Sequence, residues 1–206
     1  HVEVVRELLD RGASVDAADK DGFKPLWMAS EKGHVEVVRE LLNRGASVDA
    51  ADRYRGTPLC KASVSGHVEV VRELLGRGAS VDAASNGVWT PLSVASGGGH
   101  LEVVRELLAR GARARSANKG SSTPLHMASA SGHVEVVREL LVRGASITAV
   151  GSDGWTALVA AIREGKHVGV VHELLGRGAR VDAASKDGLT PLWMASARGH
   201  VEVVRE

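Results

Sequence analysis

The sequence predicts an all-α repeat solenoid: stacked helix-turn-helix units with β-hairpin-like finger loops projecting between them. The first observation is a repeat. HVEVVRE begins at His1, His34, His67, His133 and His200, with HLEVVRE at His100 and HVGVVHE at His167. The second is the spacing, which from His34 onward is 33, 33, 33, 34 and 33 residues. A fixed period of this length marks an array whose units bury their apolar faces against one another. The third is that each period holds two short helical patterns and one polar, turn-rich stretch, so no unit can close a core alone.

Residues 19–51 illustrate the unit. Pro25 suits a first helical position, and a hydroxyl residue precedes it in most copies, with Lys24 standing there in this one. The first helix is expected through LWMASEK, ending near Gly33. The second is VEVVRELLNR. Val38, Leu41 and Leu42 fall at i, i+3 and i+4, with Val37 alongside, while Glu36, Arg39 and Glu40 take the other face. Glu36 early and Arg44 late suit the helix dipole, and Gly45 is a left-handed stop. ASVDAADRYRG is too polar for a helix and reads as a short hairpin-like excursion. One domain is expected over residues 1–206. It comprises a partial unit 1–18, full units 19–51, 52–84, 85–117, 118–150 and 151–184, and a partial unit 185–206. The fifth full unit has Ala157 in place of Pro and an extra residue, Lys166, so an irregular helix start and joint are expected there.

Composition narrows the function. Apolar residues are 44% of the chain, with only one Phe, one Tyr and four Trp, so Leu, Val and Ala must build the core. The 26 basic and 25 acidic residues nearly cancel, which does not suggest a nucleic-acid binder. No apolar run is long enough to span a membrane. The lone cysteine, Cys60, excludes an intrachain disulfide and a cysteine zinc site, and fits a reducing compartment such as the cytoplasm. Both ends fall inside the HVEVVRE pattern without a polar capping unit, which raises head-to-tail self-association as a candidate.

TPLHMASASGHVEVVRELLVRGAS, residues 123–146, closely resembles the ankyrin repeat, and the resemblance covers essentially the whole chain. It rests on the TPLH-type helix start, the Gly-His pair, the VVRELL helix and the RGA stop. It implies a curved solenoid whose concave surface of finger tips and first helices binds partner proteins. The family's His after Pro-Leu survives only as His126. Trp27, Cys60, Ser93, Val159 and Trp193 replace it in other units. The finger-turn Gly is present as Gly22, Gly154 and Gly188, but Arg55, Val88 and Ser121 stand at the matching positions. Those middle fingers are therefore expected to turn differently, with Gly56 and Gly87 one residue away to take over.

Comparison of copies separates a fixed frame from variable slots. The second helices and the RGASVDAA arms barely change. Variation gathers at the finger tips, where Lys20, Asp21, Phe23, Arg53, Tyr54, Trp89, Lys119, Asp153, Trp155, Lys186 and Asp187 stand. It also gathers on the first helix, in the slot of Trp27, Cys60, Ser93, His126, Val159 and Trp193, and in two later slots, one with Glu31 and Arg163 and the next with Arg198. All the tryptophans and the tyrosine lie in these slots, and binding hot spots are enriched in Trp, Tyr and Arg. These residues are the candidate partner-binding set, with Trp27, Tyr54 and Trp193 as anchors. Drift at exposed positions and, for Trp27, a local brace by packing are the other readings. Lys61, whose counterparts are Met28, Val94, Met127, Ala160 and Met194, reads as semi-core, its stem packed and its ammonium in water.

No catalytic constellation is present: HExxH, GxSxG, CxxC and an EF-hand loop are all missing. SGGGH, residues 96–100, lacks the spacing of a phosphate loop. The recurring histidines would stand about 8–10 Å apart in a stack, too far to share a metal held at about 2 Å. The resemblance gives them a structural role, each imidazole bonding backbone between units. No metal, cofactor or enzyme activity is expected. RARSANK breaks the SVDAA arm and gathers Arg110, Arg113, Arg115 and Lys119, either a solvated face or a contact for an acidic partner segment. The expected function is noncovalent protein recognition. The alternative is a scaffold or spacer with no ligand of its own.

Overall fold

The computed structural model describes residues 2–85, 89–115, 122–151, 154–164 and 167–199. Twelve helices lie among them: α1 (Val2–Asp10), α2 (Pro25–Lys32), α3 (Val35–Asn43), α4 (Pro58–Ser65), α5 (Val68–Gly76), α6 (Pro91–Gly97), α7 (Leu101–Ala109), α8 (Pro124–Ala130), α9 (Val134–Val142), α10 (Ala157–Glu164), α11 (Val168–Gly176) and α12 (Pro191–Arg198). The even-numbered helices form one row and the odd-numbered helices another. Each helix packs against its counterpart in the next unit, and each pair packs within its unit.

The start of each first helix follows from its sequence. Thr57, Thr90, Thr123 and Thr190 accept the backbone N–H three residues on, at 3.1–3.4 Å, ahead of a Pro at the first helical turn. α2 starts without such a bond, because Lys24 has no side-chain acceptor to offer. The fifth unit keeps its start despite losing Pro. Thr156 accepts from the Val159 N–H at 3.5 Å, and α10 forms over Ala157–Glu164. The irregularity expected there therefore spares the helix start, and Lys166 lies outside the described residues.

The two rows share one continuous core. Leu26, Leu59, Leu92, Leu125 and Leu158 line it from the first helices, and Val38, Leu41, Val71, Leu74, Val104, Leu107, Val137, Leu140, Val171 and Leu174 from the second. Each such side chain contributes about 1.5–3 kcal/mol of burial. Ala29, Ala62, Ala95, Ala128, Ala161 and Ala195 are buried in the same register and let neighbouring first helices approach closely.

Two histidine and glutamate ladders tie the units. The Nε2–H of His67, His100, His133 and His167 donates to the carbonyls of Glu31, Val64, Gly97 and Ala130, at 2.9–3.0 Å. A carbonyl can only accept, so Nε2 carries the proton. Gly33 takes φ +74, and a Cβ there would sit 2.6 Å from the His67 Nδ1, so the joint demands glycine twice over. On the second-helix row, Glu40, Glu73, Glu106, Glu139 and Glu173 each stand between an arginine of the preceding unit and one four residues on. The pairs are Arg6 with Arg44, Arg39 with Arg77, Arg72 with Arg110, Arg105 with Arg143, and Arg138 with Arg177.

The fingers are turns with at most a single antiparallel bridge among the described residues, Ser85 to Trp89 and Val150 to Thr156. The residue at the finger base fastens the turn. Asp19 accepts from the Asp21 and Phe23 N–H, Asp52 from those of Tyr54 and Gly56, and Ser185 from those of Asp187 and Leu189. Gly22, Gly154 and Gly188 supply the left-handed residue at φ +77 to +81. The second finger corrects the expectation of a different turn. Arg55 itself takes φ +61, and Gly56 does not take over. The two bonds to the Asp52 carboxylate hold the loop in the common shape against the strain at Arg55. Val88, Gly87 and Ser121 lie outside the described residues.

Candidate functional site

The slot after Pro-Leu lies between units. Trp27 is 4% exposed and Cys60 3%, and Ser93, His126 and Val159 are buried as well. The partner-facing placement expected for these five is corrected by this burial. The Trp27 indole N–H donates to the Gly56 carbonyl at 3.1 Å, with a ring stacked on Phe23 at 4.3 Å. The Cys60 thiol reaches the Ala83 and Trp89 carbonyls at 3.4 and 3.5 Å. His126 donates from Nε2 to the Trp155 carbonyl at 3.0 Å and accepts at Nδ1 from the Thr123 hydroxyl at 2.8 Å, which fixes a neutral tautomer. Ser93 turns its hydroxyl back to the Thr90 carbonyl. For Trp27, Cys60 and His126 the partner is a backbone carbonyl just before the next helix start, while Ser93 bonds within its own unit and Val159 is a plain apolar side chain. Trp193 is 51% exposed, because among the described residues no finger follows α12 to cover it.

Burial also changes the reading of Cys60. Desolvation pushes the thiol pKa above its ordinary value, only partly opposed by the Thr57 hydrogen bond. The exposed, oxidisable thiol that a lone variable cysteine suggests is instead a small packed side chain.

The outward side of the first helices is one residue further on. Leu26, Trp27, Ala29 and Ser30 are buried, which leaves Met28, Glu31 and Lys32 on the free face. Met28 is 40% exposed and Lys61, Val94, Met127 and Ala160 are half-buried in the same slot, whereas their counterpart Met194 is buried. The signal was available: 28, 31 and 32 share a face by i, i+3 and i+4 spacing. Lys61 carries its ammonium 4.7 Å over the Trp27 ring, so Trp27 acts on this face through a cation–π contact at its edge. Val64 is exposed in the slot of Glu31, while the space beside Gly97 is filled by the Met127 side chain.

The finger tips flank this face. Tyr54 is 49% exposed, with the Arg53 guanidinium 4.8 Å over its ring. Arg53 also bonds Asp21 at 2.7 Å, which ties the first two fingers together. Trp89 is exposed and Trp155 half-buried against the core, with Arg163 5.7 Å over its ring. Lys20, Lys186, Asp187 and Arg198 are exposed, and Phe23 and Glu31 are half-buried. Lys119 and Asp153 lie outside the described residues. Among the described residues no group of three or more His, Cys, Asp or Glu could hold a metal ion, and no helix is long and apolar enough to cross a membrane.

A stack of paired helices with a variable face of first helices and fingers defines a tandem-repeat helical solenoid. The family model for ankyrin repeats, in three copies, matches residues 1–85, 81–150 and 140–206, and the chain belongs to the ankyrin repeat family. It is similar to the crystal structure of an ankyrin repeat domain from Acinetobacter baumannii AYE, with 34% identity over 88% of this chain and 94% of that one, and a TM-score of 0.78. Comparison with curated proteins gives no match. Ankyrin repeats are generally protein–protein interaction modules.

Proposed function

We propose that this chain is a noncovalent protein-recognition module whose contact face comprises Met28, Lys61, Val64, Tyr54, Arg53 and Trp89. The observation that carries this reading is the exposure of Met28, Tyr54, Val64 and Trp89 on the variable side of an otherwise fixed frame. Exposed apolar side chains with aromatics and an arginine among them have the composition of an interface hot spot. The fingers are braced before any partner arrives, by Arg53 to Asp21 and by the Asp52 turn, so binding orders little new structure.

Crosslinking capture from lysate tests this, with the crosslinked residues identified by mass spectrometry. The paired substitution Tyr54→Ala and Val64→Glu is expected to weaken the captured partner by about 2 kcal/mol or more. Trp27→Phe, inside the joint, is expected to leave capture intact. Undiminished capture by the Tyr54→Ala and Val64→Glu chain overturns this contact face, and no specific capture even by the wild-type chain favours a scaffold without a ligand of its own.

A further inference from the structure

The arms that follow the second helices show how this fold holds a carboxylate, and where it omits one. The Asp49 carboxylate accepts from the Ser80 N–H at 3.1 and 3.2 Å and from its hydroxyl at 2.5 Å. Asp82 accepts from the Arg113 N–H at 3.3 Å and from its guanidinium at 2.8 Å. At the next joint the acidic position is taken by Arg115, with Ser146 standing where Ser80 and Arg113 stand. Arg115 cannot accept. It points its Nε to the Gly144 carbonyl at 2.7 Å, and the Ser146 hydroxyl lies 3.2 Å from that of Thr148.

A cleft of about 510 Å³ opens at this joint, lined by Arg113, Ala114, Arg115, Arg143 and Gly144. The nearest carboxylates are already engaged, Asp82 by Arg113 and Glu139 by Arg143 and Arg105. Arg115 faces the cleft with no carboxylate partner among the described residues. Arg113, Arg115 and Arg143 thus line a cleft beside a joint that lacks the carboxylate its two predecessors hold.

We propose that this cleft binds a carboxylate side chain from an acidic segment of a partner protein, in the place of the missing arm aspartate. The proposal rests on the protein-recognition reading above and adds a second contact, on the arm side of the stack. A charge-assisted pair with Arg115 would repeat at this joint the guanidinium contact that Asp82 makes with Arg113. The guanidiniums would also steer an acidic segment from solution, so binding weakens as salt rises.

The test is fluorescence anisotropy of the full chain with a labelled oligoglutamate peptide, and with an oligoglutamine peptide as control. Saturable, salt-sensitive binding of the oligoglutamate alone is expected. Arg115→Asp restores an acceptor for Ser146, so it is expected to keep the melting temperature while lowering affinity by about tenfold or more, about 1.4 kcal/mol. Arg143→Gln is expected to weaken binding in the same direction. Absence of saturable binding, or wild-type affinity in both variants, overturns the proposal. So does inorganic phosphate or a DNA duplex competing at lower concentration than oligoglutamate, since either makes the cleft a phosphate site. The Tyr54→Ala and Val64→Glu chain separates the two readings. If it loses captured partners but the wild type binds no oligoglutamate, the cleft fails and the first-helix face stands. If it captures as before while oligoglutamate binds, the first-helix face fails and the cleft stands.

Discussion

At the scale of single residues, strain and burial decide what each variable position does. Arg55 carries φ +61 in an exposed finger where three other units use glycine. An L side chain in the left-handed region costs about 1–2 kcal/mol. Arg55→Gly is therefore expected to stabilise the chain by about 1 kcal/mol, read as a rise of about 2–4 °C in the thermal midpoint. Glycine gains freedom in the unfolded chain, so the net rise falls at the low end of that range. An unchanged or lower midpoint means that Arg55 makes up its strain elsewhere. Trp27 belongs to the same scale. Its slot tolerates Trp, Cys, Ser, His and Val because its neighbour is a backbone carbonyl and a small enclosed space, not a partner.

At the scale of elements, the joint between a first helix and the next second helix is the most demanding piece of the repeat. Gly66 takes φ +74, and a Cβ there would lie 2.5 Å from the His100 Nδ1. Gly66→Ala must strain the backbone and push the imidazole from the Val64 carbonyl, at a combined cost of about 3 kcal/mol. Gly45 is the control: at φ +86 it has nothing within 4 Å, so Gly45→Ala carries only the backbone strain. Chemical denaturation is expected to find Gly66→Ala the less stable by about 1 kcal/mol or more. Equal losses refute a role for the histidine contact. The helices, their starts and stops, and the histidine ladder were legible in the sequence, because Thr-Pro, Gly-His and the VVRELL stripe recur and have local causes. The face of the first helix was legible only in part. Trp27 draws attention as a large variable aromatic, whereas Met28 looks like core. Only the burial of Leu26, Trp27, Ala29 and Ser30 together decides which of the two faces outward. Burial between units depends on the neighbouring finger, a contact about thirty residues away that no local pattern records.

At the scale of the whole molecule, the glutamates of the second-helix row link each described second helix, from α1 to α11, to the next. Glu40 and Glu173 sit at two points of that chain. A hydrogen bond from Arg6 is the main cause that holds the Glu40 carboxyl below its ordinary pKa, with Arg44 adding to it. For Glu173 the main cause is the bond from Arg138, then that from Arg177. A pKa lower in the folded chain than in the unfolded one means that the unfolded chain binds the proton more readily. Stability from these contacts is therefore complete above the ordinary carboxylate range and is lost as pH falls through the depressed folded values. Both carboxylates stay near solvent, so salt also weakens the contacts. The double substitution Glu40→Gln and Glu173→Gln is expected to lower the thermal midpoint near neutral pH and in dilute buffer. The gap to the wild type should narrow as the melts are carried down to about pH 3, because protonation then removes from the wild type what the variant already lacks. A gap that is constant across that range would mean that the glutamates act by packing alone. Since stability in a stack is carried by nearest-neighbour contacts, the acid loss should begin at the joints these two residues span. Hydrogen exchange should accordingly report α1 with α3, and α9 with α11, opening more readily at reduced pH than near neutrality.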